Sequence, residues 1–164
     1  MSAQHRTTPE NRAINMSVEN LMQKARLLCE TRNVRFTPVR ERVFELLASQ
    51  KGGIGAYDLL DMLKETDANA KPATVYRAIE FLTDQGFVHK IESTNEFLLC
   101  HHFDHSHPAQ LLICDQCGLV KELHSTTIEN ELNSHANDNG FQITSQTVEA
   151  HGLCHECQNK NNQG

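Results

Sequence analysis

The stretch from residue 100 to residue 117, CHHFDHSHPAQLLICDQC, contains four histidines and three cysteines. Imidazoles and thiolates are the ligands that zinc and similar metals prefer in proteins, so this density points to metal binding. The stretch could belong to one metal site, to two sites with different roles, or to a disulfide framework that is rich in histidine. The spacing of the ligands has to separate these alternatives.

Four cysteines form two Cys-x2-Cys motifs, Cys114 with Cys117 and Cys154 with Cys157. Each motif presents two thiolates on a tight turn, and two such turns complete a tetrahedron around a zinc ion. Because four thiolates leave no position open for water, we expect a structural zinc that staples a small domain together. Two disulfides are the alternative, but paired cysteines in a chain without a secretory signal more often bind metal.

The remaining candidate ligands surround the connection between the two halves of the chain. They are His89, Cys100, His101, His102, His105, His107 and Glu122. A metal held by a selection of them would take ligands from both halves and fix the angle between them, which is the behaviour of a sensor. An enzyme is not expected, since the sequence lacks H-E-x-x-H and H-x-E with P-C-x-x-C. We therefore expect no catalytic residues and no small-molecule substrate.

Charge is distributed unevenly along the chain. The 164 residues carry a net charge of −6, yet residues 1–99 hold thirteen basic and thirteen acidic residues, while residues 100–164 hold two and eight. A basic group in the first half favours a nucleic-acid contact there (Lys24, Arg26, Arg32, Arg35, Arg40 and Arg42). No apolar run is long enough to cross a membrane, and residues 1–16 lack a secretory h-region. We expect a disordered leader at 1–16 and a cytoplasmic protein.

Periodicity predicts an α+β fold. Four segments of helical period are followed by FVHKIE and EFLLC, two runs of period two around the turn STN. This order predicts a winged helix-turn-helix domain over residues 17–100 and a hinge at 101–108. Strands and one helix then predict a second, smaller domain over 109–157 with the four-cysteine zinc site, followed by a polar tail at 158–164.

The fourth predicted helix, in KPATVYRAIEFLTDQG, has the features of a DNA-reading helix. Its apolar residues recur at helical spacing and form a buried face (Val75, Ala78, Ile79 and Leu82). A hydroxyl, a phenol and a guanidinium remain near its exposed N-terminal end, which suits entry into the major groove (Thr74, Tyr76 and Arg77). We expect Arg40 and Tyr57 to bind phosphates nearby. An ordinary solvated helix face is the alternative, and the predicted wing favours DNA.

Several segments carry a resemblance to a known family: NVRFTPVRERVFELL, ATVYRAIEFL, FLLCHHFDHSH with ICDQCG, and EAHGLCHEC. From about residue 18 to residue 157 the chain resembles the ferric uptake regulator superfamily. The cysteine of FLLC and the ending AHGLC resemble its zinc uptake regulator branch. The resemblance implies a winged-helix domain, an α/β dimerisation domain, and a homodimeric repressor that binds palindromic operators in double-stranded DNA and shuts off zinc-uptake genes.

The same resemblance implies two zinc ions per chain. The structural zinc would be held by Cys114, Cys117, Cys154 and Cys157, and the regulatory zinc by His89, Cys100, His107 and Glu122. The loop is one residue shorter than the spacing of the zinc branch, so His105 is an alternative to His107. HHFDH is similar to the iron-sensing branch, which keeps an iron, manganese or peroxide sensor as the alternative function. A thiolate suits zinc better than iron or manganese, so Cys100 favours zinc. A weak extra site from His101, His102 and His124 stays open.

Overall fold

Four helices and a hairpin form the first part of the chain in the computed structural model, which describes residues 17–162. The predicted leader at 1–16 lies outside the described residues. The helices are α1 (Val18–Thr31), α2 (Pro38–Ala48), α3 (Ala56–Lys64) and α4 (Pro72–Asp84), and the hairpin strands are β1 (Val88–Ile91) and β2 (Glu96–Leu99). This is the predicted order of a winged helix-turn-helix. No helix in the described part of the chain is long and apolar enough to cross a membrane.

Capping residues start the first two of these helices. The hydroxyls of Ser17 and Thr37 each accept a hydrogen bond from the amide three residues later, at 3.3 and 3.4 Å. Such a cap contributes about 1 kcal/mol to helix stability. Pro38 and Pro72 occupy the first helical positions, where the missing N–H is not needed. Gly86 follows α4 with a φ of 74°, as expected of a helix-ending glycine.

The wing is an antiparallel hairpin in which Val88 pairs with Leu99. Asn95 takes a φ of 56° in its turn, a conformation that asparagine tolerates better than most residues. Ile54, in the loop before α3, forms a further antiparallel bridge with Phe97. This bridge was not predicted, because a single pairing residue produces no alternating pattern in the sequence. It fixes the wing against the helices.

Five of the seven phenylalanines pack into one cluster in the first part, with neighbouring ring centroids 4.9 to 6.3 Å apart (Phe36, Phe44, Phe81, Phe87 and Phe103). Phe103 is 1% exposed, and its ring lies 4.9 Å from Phe87 and 5.8 Å from Phe44. Residues 101–108, predicted as a hinge, are therefore an irregular loop with one residue anchored in the core. The loop cannot swing freely while Phe103 stays buried.

A three-stranded sheet and two helices form the second part. Its elements are β3 (Ala109–Cys114), β4 (Val120–Glu122), α5 (Thr126–Asp138), β5 (Thr147–Gly152) and α6 (His155–Asn162). The strand order is β4–β3–β5, with β3 antiparallel to β4 and parallel to β5. Strand β5 begins at Thr147, opposite Ala109, the first residue of β3. Residues 158–162, predicted as a polar tail, continue α6, which has no apolar stripe that could have revealed it.

The wing packs on the second sheet through a small apolar cluster (Ile91, Leu98, Leu111, Ile113 and Val120). Full burial of one such side chain contributes about 1.5–3 kcal/mol. Beside this cluster, Gly52 bridges Leu119, and a Cβ atom on Gly52 would lie 2.9 Å from the carbonyl oxygen of Gly118. Only glycine allows the two backbones to approach this closely. The two parts are thus in direct contact.

Truncation of Phe103 should destabilise the protein strongly. We expect Phe103→Ala to lower the free energy of unfolding by about 3–5 kcal/mol, because it removes a buried ring and leaves a cavity. Chemical denaturation at fixed metal content measures this change. The control is Leu27→Ala, whose side chain is 64% exposed and whose loss should change stability by about 0.5 kcal/mol or less. Equal stability of the two variants would contradict a core position for Phe103.

Candidate metal centre

Parallel pairing of β3 with β5 brings the two Cys-x2-Cys motifs together into a four-cysteine cluster. Cys114 ends β3 opposite Gly152, the last residue of β5, so Cys154 follows at the same edge of the sheet. Cys117 lies in the turn before β4, and Cys157 lies in the first turn of α6. The four Sγ atoms lie within 4.8 Å of one another. Those of Cys117 and Cys154 are 3.7 Å apart, near the separation of about 3.8 Å between thiolates on a tetrahedral zinc.

The thiols of this cluster differ in their readiness to bind a metal. The backbone amide of Cys154 donates a hydrogen bond to Sγ of Cys114 at 3.3 Å. Together with the amide of Cys117, it lowers the pKa of the Cys114 thiol to about 6. Burial raises the pKa of the Cys157 thiol to about 12. At neutral pH Cys114 is therefore available as a thiolate, whereas ligation of a metal by Cys157 has to displace a proton. The separation of 3.7 Å is too long for a disulfide bond.

A second set of four ligands, the mixed cluster, joins the two parts of the chain (His89, Cys100, His107 and Glu122). His89 lies on β1 opposite Leu98. Cys100 is two residues beyond Leu98, so the side chains of His89 and Cys100 lie on the same face of the wing. His107 lies in the loop before β3, and Glu122 ends β4. One ligand atom from each residue lies within 4.8 Å of the others.

The carboxylate of Glu122 is at the centre of the mixed cluster. Its Oε1 lies 2.9 Å from Nε2 of His89 and 2.8 Å from Nε2 of His107, and it lies 3.3 Å from Sγ of Cys100. Nε2 of His107 is 3.3 Å from Nε2 of His89 and 3.4 Å from Sγ of Cys100. Ligand atoms about 2 Å from a tetrahedral zinc are about 3.3 Å apart, so the set fits such an ion. Oε2 of Glu122 is buried without a hydrogen-bond partner among the described residues.

Burial controls protonation in the mixed cluster. It raises the pKa of the Cys100 thiol well above its ordinary value, and the nearby carboxylate of Glu122 raises it further. Burial also acts to raise the pKa of Glu122, but hydrogen bonds with His89 and His107 outweigh it and bring that pKa to about 2. Without a cation, the cluster thus combines a charged carboxylate with a protonated thiol. Ligation of a cation by Cys100 has to release a proton.

The remaining histidines of the loop lie outside the mixed cluster. His107 rather than His105 is the loop histidine within it. Nε2 of His105 instead lies 3.1 Å from Nε2 of His124, and these two form a third group together with His107. His101 and His102 are exposed and belong to none of the three groups found among residues 17–162. His124 is therefore grouped with His105, not with His101 and His102 as the sequence had left open.

The residues predicted to contact DNA lie on the helices and beside the wing. On α4, Tyr76 is 47% exposed, Arg77 is exposed and Thr74 is half-buried. Tyr57, 70% exposed at the start of α3, lines a surface groove of about 320 Å³ together with Tyr76 and the wing turn. Arg77 forms no ion pair or side-chain hydrogen bond within the described part of the chain. Its guanidinium is therefore available to a partner.

Most of the basic residues at 21–42 are engaged inside the chain, which the sequence did not predict. Arg26 forms a bidentate pair with Glu41 at 2.8 and 2.9 Å. The guanidinium of Arg40 lies over the ring of Phe81, 3.8 Å from its centroid. Three others also have partners within the chain (Lys24, Arg32 and Arg42). This group stabilises the fold, so it adds less to a DNA-binding surface than its sequence suggests.

One polar contact between the two parts was missed. Glu149 on β5 accepts hydrogen bonds from the backbone amides of Glu92 at 2.6 Å and Ser93 at 3.3 Å, in the turn of the wing. Partial burial acts to raise the pKa of Glu149, but the hydrogen bonds from Ser93 and Glu92 lower it below its ordinary value. The contact ties the wing to the second sheet. No sequence signal could reveal it, because the donors are backbone groups far away along the chain.

The chain is similar to known proteins in sequence and in fold. The zinc uptake regulation protein of Escherichia coli K12 is 48% identical over 142 residues, which cover 86% of this chain and 83% of that protein. A solved zinc uptake regulator complexed with zinc and DNA is 46% identical with a TM-score of 0.87, covering 90% of this chain and 99% of that chain. The holo form of XcZur is 40% identical with a TM-score of 0.80, and its apo form is 39% identical with a TM-score of 0.51. The two matches cover 85% and 86% of this chain and 97% of each XcZur chain. Residues 31–151 match the ferric uptake regulator family, so the predicted resemblance is confirmed and the chain belongs to that family.

Proposed function

We propose that the protein is a zinc-responsive transcriptional repressor. Loaded with zinc, it binds palindromic operators in double-stranded DNA as a homodimer and shuts off zinc-uptake genes. The observation that carries this proposal is the mixed cluster, because its ligands come from the wing, the loop and the second sheet. A cation held there interacts with both parts of the chain and favours one arrangement over the others. Couplings of this kind are typically about 1–3 kcal/mol.

The ligands of the mixed cluster support zinc as the sensed metal. One thiolate, two imidazoles and one carboxylate suit a four-coordinate zinc ion, whereas iron and manganese favour sites of nitrogen and oxygen only. The zinc uptake regulation protein of Escherichia coli and the solved regulator complexed with zinc and DNA support the same choice. Bound zinc would supply the positive charge that holds the Cys100 thiolate and the Glu122 carboxylate together.

The four-cysteine cluster would hold a second, structural zinc, giving two per chain. Its four thiolates leave no open position, so it would tie α6 to the ends of β3 and β5. This second part is small, and its helix α5 buries no residue fully within the chain. A small domain with such a limited core gains its stability from a bound metal. Removal of this zinc would therefore unfold the second part rather than release the operator reversibly.

A change of arrangement on zinc loading is supported by XcZur. Although its two forms have nearly the same identity to this chain, the holo form matches with a TM-score of 0.80 and the apo form with 0.51. The sequence difference is nearly the same in both comparisons, so the lower score reflects a difference in backbone conformation between the two forms, which we propose to be a different placement of the parts. We propose that the present chain has the DNA-competent arrangement and that loss of the regulatory zinc releases the wing from the second sheet.

Exposed apolar side chains support a homodimer formed through the second part. Five large ones lie in this part, each at least 40% exposed (Leu112, Leu119, Leu132, Phe141 and Leu153). An amphipathic helix such as α5 requires an apolar partner for its inner face. A two-fold dimer also matches the symmetry of a palindromic operator. The operator would then meet two copies of α4, one in each half-site.

Operator binding should depend on Cys100. We expect Cys100→Ser to keep one zinc per chain where the wild type holds two, and to lose most of its zinc response. In the wild type, zinc should raise the operator affinity by about 5–150-fold. Elemental analysis of the zinc-loaded proteins, after unbound metal has been removed by gel filtration, measures the first effect, and operator titration against free zinc measures the second.

Cys29→Ala is the matched control for this experiment. Cys29 is also buried, at 2% exposure, but lies in α1 outside both clusters, so its replacement should preserve both zinc content and response. If the wild type binds the operator equally tightly in chelator and in saturating zinc, a zinc-responsive function is contradicted. A Cys100→Ser protein with its full response would instead favour an iron, manganese or peroxide sensor of the same family.

Zinc affinity at the mixed cluster should rise with pH. The raised pKa of Cys100 keeps its thiol protonated at neutral pH, so zinc displaces a proton that becomes easier to remove as the pH increases. Glu122, with a pKa of about 2, stays charged throughout and adds no dependence. We expect the wild type to release about one more proton per bound regulatory zinc than Cys100→Ser. Calorimetry in buffers of different ionisation enthalpy counts these protons, and equal counts would place the thiol outside the site.

Arg77 should read the operator. We expect Arg77→Ala to weaken operator binding by about 1–3 kcal/mol and to relax the preference at one base of each half-site, as the loss of a bidentate guanine contact does. Thr74, Tyr76 and Tyr57 are proposed to flank this contact. Binding to a set of operator variants at fixed zinc and salt measures both effects. Full affinity and selectivity in Arg77→Ala would mean that another helix reads the operator.

Arg40→Ala is the comparison variant for Arg77→Ala. If Arg40 binds a phosphate, its loss should weaken binding evenly across sequences and flatten the salt dependence. Because its guanidinium also lies over Phe81, the stability of this variant has to be measured beside its affinity. Zinc content should stay unchanged in both variants, since neither residue belongs to a metal cluster.

A further inference from the structure

A pair of exposed histidines lies directly beside the mixed cluster. Nε2 of His105 and Nε2 of His124 are 3.1 Å apart, and their ring centroids are 4.9 Å apart. The ring of His107 lies 4.8 Å from that of His124, and single nitrogen atoms of all three lie within 4.8 Å of one another. His105 and His124 are exposed, whereas the side chain of His107 is only 6% exposed. The three rings thus lead from the surface to the buried ligands.

The His105 ring is oriented for metal binding by a carboxylate. Its Nδ1 lies 3.1 Å from Oδ1 of Asp104, and Asp104 in turn pairs with Lys24 at 3.5 Å. An imidazole whose Nδ1–H donates to a carboxylate presents Nε2 as its ligand atom, and this is the usual surrounding of metal-binding histidines. His105 therefore directs a basic nitrogen at His124. Two imidazole nitrogens in this geometry suit a borderline cation such as zinc.

His107 has a single nitrogen available for a metal. Its Nδ1 lies 3.0 Å from the backbone oxygen of His105 and donates its hydrogen there. Nε2, the remaining ligand atom, lies within 3.4 Å of His89, Cys100 and Glu122 in the mixed cluster. One nitrogen cannot hold two ions, so the surface group and the mixed cluster cannot both use His107 at the same time. The shared residue makes them successive positions rather than independent sites.

We infer that His105 and His124 form an entry site that passes zinc to and from the mixed cluster through Nε2 of His107. This inference rests on the proposed zinc site at the mixed cluster. During entry, the nitrogens of His105 and His124 release the ion as His107, His89, Glu122 and Cys100 ligate it, and the thiol proton of Cys100 passes to water. Two imidazoles bind more weakly than a set that includes a thiolate and a carboxylate, so transfer inward is favourable. A surface cavity of about 180 Å³ exposes His105, His107 and His124 to solvent.

The test is the rate of metal entry, measured apart from the affinity at equilibrium. Mild chelation first empties the mixed cluster of the full chain and leaves zinc in the four-cysteine cluster. The protein is then mixed rapidly with cobalt(II). Arrival at Cys100 is followed by the thiolate-to-cobalt charge-transfer absorption. We expect the double variant His105→Ala with His124→Ala to load about tenfold more slowly than the wild type, which corresponds to a loss of about 1.4 kcal/mol in the barrier. Its equilibrium affinity, from chelator competition, should be unchanged.

His135→Ala is the matched control, because His135 is an exposed histidine of α5 outside all three groups; it should load at the wild-type rate. A double variant that loads as fast as the wild type would overturn the entry site. A parallel loss of affinity would also overturn it, since His105 and His124 would then be ligands of the regulatory ion itself. If the wild type shows no charge-transfer band, the proposed zinc site fails first and the inference falls with it.

Discussion

A charged carboxylate inside a protein is stable only when polar or charged partners surround it, and Glu122 obtains these partners from the other part of the chain. Its Oε1 contacts His89 on the wing and His107 in the loop, and Cys100 lies beside β2 within 3.3 Å. Separation of the wing from the second sheet would take His89 and Cys100 away from this carboxylate and leave its charge less well compensated. The arrangement of the two parts therefore depends on one buried charge. A cation that balances both the carboxylate and the Cys100 thiolate would strengthen that dependence.

In the first part, aromatic packing connects the loop that carries His107 to the helices and the wing. Phe103, from the loop that carries His107, packs on Phe87 directly before β1 and on Phe44 of α2. Packed cores of this kind have discrete arrangements rather than a continuous range of them. Movement of the ligand loop consequently has to move the wing and helices as one body. Under the proposed function, zinc changes the placement of that body and leaves its interior, including α4, as it is.

Local signals in the sequence were sufficient for the helices α1 to α5 and for the four-cysteine cluster, but not for the polar helix α6. Caps such as Thr37 and motifs such as Cys114-x2-Cys117 act within a few residues, so their consequences can be predicted without the fold. Tertiary contacts decided the rest. Arg40 was predicted as a phosphate contact, yet its guanidinium already lies over Phe81, and Glu149 binds backbone amides that carry no sequence signature. The ligand set of the mixed cluster followed from the family resemblance, and the residues alone left several histidines as equal candidates.

Charge alone cannot account for the proposed response to zinc. Without zinc, the mixed cluster carries the charge of Glu122 and a neutral Cys100 thiol; with zinc, the ion balances one carboxylate and one thiolate. Occupancy thus changes the net charge of each chain by about one unit, given unchanged imidazoles. One unit charge acting on a phosphate about 10 Å away in water contributes about 0.4 kcal/mol before screening. Couplings between sites are typically about 1–3 kcal/mol. The larger share of the response therefore has to come from the placement of α4 and the wing, which the mixed cluster fixes by joining residues from both parts.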